Sequence, residues 1–200
     1  EHFIIDNMER ALSGREFEVY LQPKICMKSG SLEGAKALVR WRHPEKGLMQ
    51  PGSFIPIFER NGFVMKVDAF VWEECCRQLR KRLDQGLPVV LYNPRLPATI
   101  LEVVEKYRIP HNLMQFELTE SAFTSDLMLL THLTQELRKR GFTILMDDFG
   151  SGYSSLNALK DIDVNVLKLD IRFLSLNSHG EKGINILRHT IEMAKSIDLE

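Results

Sequence analysis

The sequence TILMDDFGSGYSSLNALKDIDVNVLKLD, residues 143–170, carries the strongest structural signal in the chain. Its apolar run Ile144–Met146 predicts a strand that ends at the adjacent carboxylates of Asp147 and Asp148. A glycine-bearing turn and a short helix follow, and a second apolar strand then includes Lys168. Strands that alternate with helices in this way are typical of a parallel α/β sheet.

The two adjacent acids, Asp147 and Asp148, have two interpretations. Aspartates are poor strand formers, they are costly to bury unpaired, and they repel each other when side by side. A divalent cation would relieve that repulsion. A solvated Asp-Asp turn between a strand and a helix explains the same spacing, and spacing alone leaves both interpretations open.

Length and composition bound the class of protein. The chain has 200 residues, which suits one domain, and its formal net charge of −1 offers no electrostatic case for nucleic acid or an anionic membrane. No apolar run approaches the roughly 20 residues of a membrane span, and the N-terminus lacks a signal-peptide pattern. The three cysteines, Cys26, Cys75 and Cys76, have no metal-ligand spacing. We therefore expect a reduced, cytoplasmic protein, in which at least one of the neighbouring cysteines Cys75 and Cys76 is in the core.

Apolar periodicity along the chain predicts a regular alternation of elements. A leading helix and a strand hairpin come first, and strand–helix units of roughly 20–30 residues follow, which favour a parallel sheet and, when repeated, a barrel. Because a full barrel takes about 250 residues, we expect about one and a half to two further units beyond this sequence. Residues 43–52 are interpreted as a loop, and Ser53 as a helix cap. Strands are predicted at residues 17–25, 32–41, 89–92, 113–118, 142–146 and 164–169, and helices at residues 3–13, 53–60, 65–85, 97–107, 125–140, 154–160 and 183–197.

Polar side chains end several of the predicted strands. Asn93, Glu117, Asp147 and Lys168 come from successive units, and the carboxyl ends of parallel strands meet at one rim of a barrel. Oxygen donors of this kind suit Mg²⁺, Mn²⁺ or Ca²⁺ rather than zinc. Taken singly, Asn93 is also explained as a turn residue before proline, and Glu117 as a residue that starts a helix.

Several motifs in a fixed order resemble the EAL family, the bacterial cyclic di-GMP phosphodiesterase domain. The resemblance covers nearly the whole chain and implies one domain, residues 1–200, with a leading helix at residues 1–14. It implies an α/β fold, a modified TIM-like (β/α)8 barrel with an antiparallel opening strand and truncated C-terminal units. The matching motifs are YLQP (20–23), ALVRWRHPEKG (37–47), PGSFIPIFERNG (51–62), YNPRLPAT (92–99), FELTES (116–121), DDFGSGYSSL (147–156) and KLD (168–170).

The resemblance also implies a site for one or two Mg²⁺ or Mn²⁺ ions. Asn93, Glu117 and Asp147 match metal ligands of the family, and Asp148 matches a ligand of the second metal. Lys168 matches the lysine beside the attacking water, so Lys168 and Asp148 are the predicted catalytic residues. The implied reaction is an in-line attack by activated water on one phosphodiester of cyclic di-GMP.

Three further positions match residues that hold the ligand or the loop. Gln22 and Arg40 match residues that contact the dinucleotide, and a guanidinium suits phosphate. The alternative for Arg40 is an ordinary charge on a surface strand. Glu120 matches a residue that stabilises the DDFGSGYSS loop.

The sequence departs from the family at Lys36, because the triplet Glu-Ala-Leu is here Lys36-Ala37-Leu38. A charged ammonium has no lone pair and cannot ligate a cation. At about 4 Å and an effective dielectric near 20, its repulsion of each unit of positive charge costs roughly 4 kcal/mol. One hypothesis is that Lys36 replaces the metal by pairing with Glu117 and Asp147; the alternative is that it extends to solvent.

Three functions follow as hypotheses. The first is a degenerate domain that receives cyclic di-GMP or binds a partner with little or no hydrolysis, because the ligand at Lys36 and a match to the family's general-base glutamate are both missing. The second is an active phosphodiesterase, and the third is a ligand-free dimerisation module. The resemblance implies a homodimer through residues 147–159. The sequence begins within a helical pattern and stops after a helix that leads toward a strand. We therefore expect it to be part of a longer protein, with a linked upstream sensor or signalling domain.

Overall fold

The computed structural model describes residues 1–86, 90–93, 100–118, 127–150, 155–170 and 180–200. Helices and strands alternate along these parts in the predicted order, and none of the helices found there is long and apolar enough to cross a membrane. The elements are α1 His2–Ser13, β1 Phe17–Ile25, β2 Leu32–His43, β3 Gly47–Met49, α2 Pro51–Asn61, α3 Val64–Asp84, β4 Val90–Asn93, α4 Ile100–Lys106, a 3₁₀ turn His111–Leu113, β5 Met114–Leu118, α5 Leu127–Lys139, β6 Thr143–Phe149, α6 Ser155–Asp161, β7 Val166–Leu169 and α7 Gly180–Ser196.

The chain divides into two compact units, Glu1–Leu113 and Met114–Glu200. In the first unit, β1 pairs with β2 in antiparallel orientation, and β2 pairs antiparallel with β3 and parallel with β4. The predicted antiparallel opening strand is therefore confirmed. In the second unit, β6 pairs in parallel with both β5 and β7. Beyond α7, the backbone of Glu200 donates to Asn165 O and accepts from Leu167 N, which is the pattern of a further parallel strand.

An aromatic cluster forms the core of the first unit. It packs one face of the β1–β2 hairpin against α2 and the start of α3, because alternate residues of both strands are apolar and point to that side. Its rings lie in tilted and edge-to-face contacts, for example 5.3 Å between the centroids of Phe17 and Trp41. The aromatic cluster consists of Phe17, Trp41, Phe54, Phe58 and Phe63, all of them buried.

The core of the second unit lies on one face of its parallel strands. Phe116, Ile144 and Met146 are buried there together with Leu137 of α5, and the rings of Phe116 and Phe142 are 5.2 Å apart. Because side chains alternate along a strand, the opposite face carries the residues in between. Those intervening residues include the polar side chains of the candidate site.

Two local predictions in the first unit were wrong. Residues 43–52 are not all loop, because Gly47–Met49 forms β3 and extends the hairpin edge. The turn before β3 is stabilised by His43, whose Nδ1 accepts the backbone N–H groups of Glu45 and Lys46 at 3.1 and 3.3 Å. Ser53 does not cap α2 either. The helix begins at Pro51, whose fixed φ suits a first turn, and Ser53 Oγ donates to Gln50 O.

The cysteines of α3 should be unreactive in the native protein. Cys75 and Cys76 are both buried, and burial raises the pKa of the Cys76 thiol to about 12 and raises the pKa of Cys75 as well. Because the thiolate is the reactive form, we expect only Cys26 to react with a thiol reagent at pH 8, and all three in denaturant. A Cys26→Ser variant is the control and should show no native reaction. Prompt reaction of more than one thiol would contradict the packing of α3.

Candidate functional site

Three charged side chains meet on one face of the second unit's sheet. The strand register pairs Glu117 with Leu145 and Leu145 with Val166. Asp147 and Lys168 lie two residues further along their strands, so alternation puts them on that same face. Lys168 Nζ lies 2.6 Å from Asp147 Oδ1 and 3.0 Å from Glu117 Oε1. We call Glu117, Asp147 and Lys168 the charged trio.

Burial differs sharply within the charged trio. The side chain of Glu117 is 0% exposed and that of Asp147 is 13% exposed, whereas that of Lys168 is 28% exposed. Two carboxylates at such a depth need a compensating charge, because an isolated buried carboxylate is strongly disfavoured. The ammonium supplies that charge, and its four-carbon stem lets it reach both acids from the side nearer to solvent.

The two adjacent acids occupy a bulge in the strand. The expected strand end at Met146 was wrong, since β6 continues to Phe149 and its register with β7 shifts between those residues. Asp148 takes a left-handed φ of 54° and is exposed, and its N–H donates to Asp147 Oδ1 at 3.0 Å. A bulge leaves one residue unpaired and re-aims its neighbours. Asp147 therefore faces Glu117 and Lys168, and Asp148 faces solvent. The two acids do not both lie in a solvated turn.

The hairpin of the first unit carries the predicted ligand-contact residues. Gln22 lies directly opposite Lys36 in the ladder, and Arg40 lies four residues further along β2. Directly opposed residues share a face, and so do residues an even number apart. Arg40 Nη1 donates to Val39 O at 2.8 Å, and its guanidinium lies 5.9 Å from the centre of the Tyr20 ring. The opposite face of the hairpin packs on the aromatic cluster.

Two predicted site residues lie outside what the structure describes. Asn93 is the last residue of β4, but its side chain is outside the described residues, and Glu120 falls within residues 119–126, which are also outside them. Lys36 is half-buried and belongs to the first unit, whereas the charged trio belongs to the second. The pairing of Lys36 with Glu117 and Asp147 therefore stays a prediction, as do the roles of all these residues.

The charged trio fits a divalent cation in the type of its donors. Carboxylate oxygens are the ligands that Mg²⁺ and Mn²⁺ prefer, and Glu117 and Asp147 already converge on one positive charge. These two side chains would hold the ion, together with Asn93 and Asp148 by prediction. Across the described ranges, no group of three or more His, Cys, Asp or Glu side chains is placed to hold a metal ion.

The first unit also has a groove that no sequence motif predicts. It has a volume of about 870 Å³ and lies between β1 and α3. On its wall, Glu73 accepts hydrogen bonds from Lys106 Nζ and from the Tyr107 hydroxyl, both at 2.6 Å, and these two bonds hold the pKa of Glu73 below its usual value. No motif points to this network, because its members come from separate helices and carry no special spacing.

The strand–helix units and the charged side chains at strand ends define an α/β domain of the TIM-like barrel class. The model of the EAL domain matches residues 5–200, and the chain belongs to this family.

Curated relatives include enzymes of cyclic di-GMP metabolism. The chain is 30% identical to the bifunctional diguanylate cyclase/cyclic di-GMP phosphodiesterase MucR of Pseudomonas aeruginosa, over 98% of this chain and 30% of that protein. It is also 30% identical to the probable cyclic di-GMP phosphodiesterase PdeB of Escherichia coli, over 96% of this chain and 38% of that protein. The chain thus spans about a third of the length of these two relatives.

Solved structures confirm the predicted fold. The PaMucR phosphodiesterase in its c-di-GMP complex matches with a TM-score of 0.86 and 28% identity, over 98% of this chain and 83% of that chain. The FimX EAL domain from Pseudomonas aeruginosa bound to c-di-GMP matches with a TM-score of 0.85 and 23% identity, over 98% of this chain and 82% of that chain, which shows the fold alone. The architecture is the modified TIM-like barrel of EAL domains.

Proposed function

We propose that this EAL domain acts in cyclic di-GMP signalling as a receptor or interaction module with little or no hydrolysis. The observation that carries the proposal is the position of Lys36, directly opposite Gln22 and on the same face of the hairpin as Arg40. The family resemblance assigns the position of Lys36 to a metal-ligating glutamate, and an ammonium has no lone pair for a metal ion. The two neighbours that would contact the dinucleotide are retained.

Arg40 supports binding of a phosphodiester. Its guanidinium carries five donors in a planar fork, of which Nη1 donates to Val39 O. The Tyr20 ring also lies near the guanidinium, whose carbon is 5.9 Å from the ring centre. Among the residues that the structure describes, Arg40 makes no ion pair that would neutralise its charge. A phosphate could therefore accept charge-assisted hydrogen bonds from the remaining donors.

Replacing Arg40 with alanine should weaken cyclic di-GMP binding about ten- to hundredfold, because a hydrogen bond to a charged group is lost. Calorimetric titration in the presence of a chelator measures the dissociation constant without turnover. Arg82→Ala is the matched control, since it removes the same charge from an exposed position on α3 of the same unit. Equal affinities for the natural protein and Arg40→Ala would remove Arg40 from the site, and no binding by the natural protein would reject the receptor.

The second candidate is an active phosphodiesterase, and the observation that favours it is the charged trio. A divalent ion bound there would supply activation of water and stabilisation of charge on the phosphoryl group. Glu117 and Asp147 would hold the ion, and Lys168 would orient water beside the phosphodiester, with Asp148 as a further ligand. Formation of the linear dinucleotide by the natural protein with Mn²⁺ distinguishes this candidate from the receptor.

The proposal includes a homodimer in the cytoplasm and a linked upstream signalling domain. Leu156 on α6 supports the dimer, because it is an exposed apolar side chain within residues 147–159, the region that the family resemblance assigns to dimer contacts. The relative MucR is named as a bifunctional protein, and this chain covers 30% of its length, which supports a linked domain. Analytical ultracentrifugation tests the dimer, and a monomer at every accessible concentration would contradict it.

A further inference from the structure

The two carboxylates of the charged trio already contact a cation, the ammonium group of Lys168. Lys168 Nζ is within hydrogen-bond distance of one oxygen from each carboxylate, 3.0 Å for Glu117 and 2.6 Å for Asp147. In this unit these two side chains would hold a divalent ion, with Asp148 as a further ligand by prediction. The ammonium and the ion would therefore draw on the same two carboxylates.

We propose that Lys168 is an internal counter-cation that competes with a divalent ion for Glu117 and Asp147 and so sets how tightly the domain binds metal. The inference concerns the metal-binding equilibrium of the domain. It depends neither on cyclic di-GMP binding nor on hydrolysis, so either function could fail while this inference stands.

The burial pattern indicates which member of the charged trio moves. Glu117 is fully buried on β5, and Asp147 is fixed by the N–H of Asp148 at the bulge. Lys168 is 28% exposed, and its long side chain can turn its head to water while its stem stays packed. Withdrawal of the ammonium would therefore break its contacts with both carboxylates without a shift of either strand.

Charge determines the direction of the competition. Without an ion, the ammonium compensates the buried carboxylate of Glu117 and the largely buried one of Asp147, and removing it takes that compensation away. With an ion, the ammonium lies close to a second positive charge, which weakens ion binding. Removing the ammonium should therefore make the domain less stable without metal and more responsive to metal, a combination that the loss of a purely structural lysine does not produce.

The test compares the natural protein with Lys168→Met, which keeps the apolar stem and removes the charge. Melting is followed in chelator and in Mn²⁺, and Mn²⁺ binding is measured directly from the electron paramagnetic resonance signal of the free ion. We expect Lys168→Met to melt about 5–15 °C lower in chelator and to recover most of that loss in Mn²⁺. We expect its affinity for Mn²⁺ to be at least about tenfold higher than that of the natural protein.

Two further variants complete the experiment. Lys160→Met removes an exposed lysine of α6 in the same unit and should change neither readout. Lys168→Arg keeps the positive charge and should fold without metal and bind Mn²⁺ no more tightly than the natural protein. The proposal is overturned if Lys168→Met binds Mn²⁺ with unchanged affinity, or if it fails to fold even with Mn²⁺. It is equally overturned if Lys168→Arg gains affinity as Lys168→Met does.

Discussion

Replacing Lys36 with glutamate is expected to raise the affinity of the domain for Mn²⁺ by about a hundredfold or more. The change removes a positive charge from a position that holds a metal ligand in the family. It also adds a carboxylate whose oxygen atoms can coordinate the metal ion. At about 4 Å and an effective dielectric near 20, one unit of charge is worth roughly 4 kcal/mol, which corresponds to a few powers of ten in affinity. If the other predicted metal ligands can still bind the ion, the variant is expected to hydrolyse cyclic di-GMP in Mn²⁺.

The matched control is Lys28→Glu, which makes the same change in net charge at an exposed position in the turn of the same hairpin. It should leave Mn²⁺ affinity and turnover as they are in the natural protein. If Lys36→Glu binds Mn²⁺ but does not hydrolyse, other parts of the site have lost their function, and the receptor proposal is strengthened. Hydrolysis by the natural protein would instead reject that proposal, and unchanged Mn²⁺ affinity in Lys36→Glu would place Lys36 away from the metal.

The convergence of Glu117, Asp147 and Lys168 could be predicted from the sequence. Each of them follows or ends an apolar run, successive runs are linked by helices, and parallel strands bring their carboxyl ends to the same side. The structure brings these three side chains together. The roles assigned to them rest on family resemblance, because proximity alone does not separate a metal ligand from a partner in an ion pair.

The details that the sequence left open depend on contacts between distant residues. The left-handed φ of Asp148 arises from the shift in pairing between β6 and β7, and no local preference of an Asp-Asp pair specifies it. Similarly, the three residues of β3 have no strand signal of their own, and they become a strand because the end of β2 provides an edge to pair with. The placement of Lys36 opposite Gln22 is a matter of register, which the hairpin turn and the buried face determine together.

Truncating Trp41 to alanine is expected to lower stability as strongly as any single truncation in the core of the first unit. Trp41 is fully buried on β2, and its ring lies 5.8 Å from that of Phe54 and 6.1 Å from that of Phe58. Its indole N–H also donates to Glu16 Oε2 at 2.9 Å. Loss of a buried Trp side chain costs about 3–5 kcal/mol, because the transfer free energy is lost and a cavity remains. For a chain of this size, the melting temperature should fall by about 6–20 °C.

Trp41→Phe is the control, because it keeps an aromatic ring in the cluster and loses the indole donor. It should cost about 1.5–3 kcal/mol, the range for one hydrogen bond to a charged acceptor, and should melt above Trp41→Ala. The comparison also bears on function, since Arg40 and Lys36 lie on the face of the hairpin opposite the aromatic cluster. If that packing holds the ligand-contact face in place, Trp41→Ala should lose cyclic di-GMP affinity even at temperatures where circular dichroism shows it folded. Normal melting of Trp41→Ala would mean that the cluster does not anchor the hairpin, and normal affinity in the folded variant would mean that the contact face is organised by β1 and β2 alone.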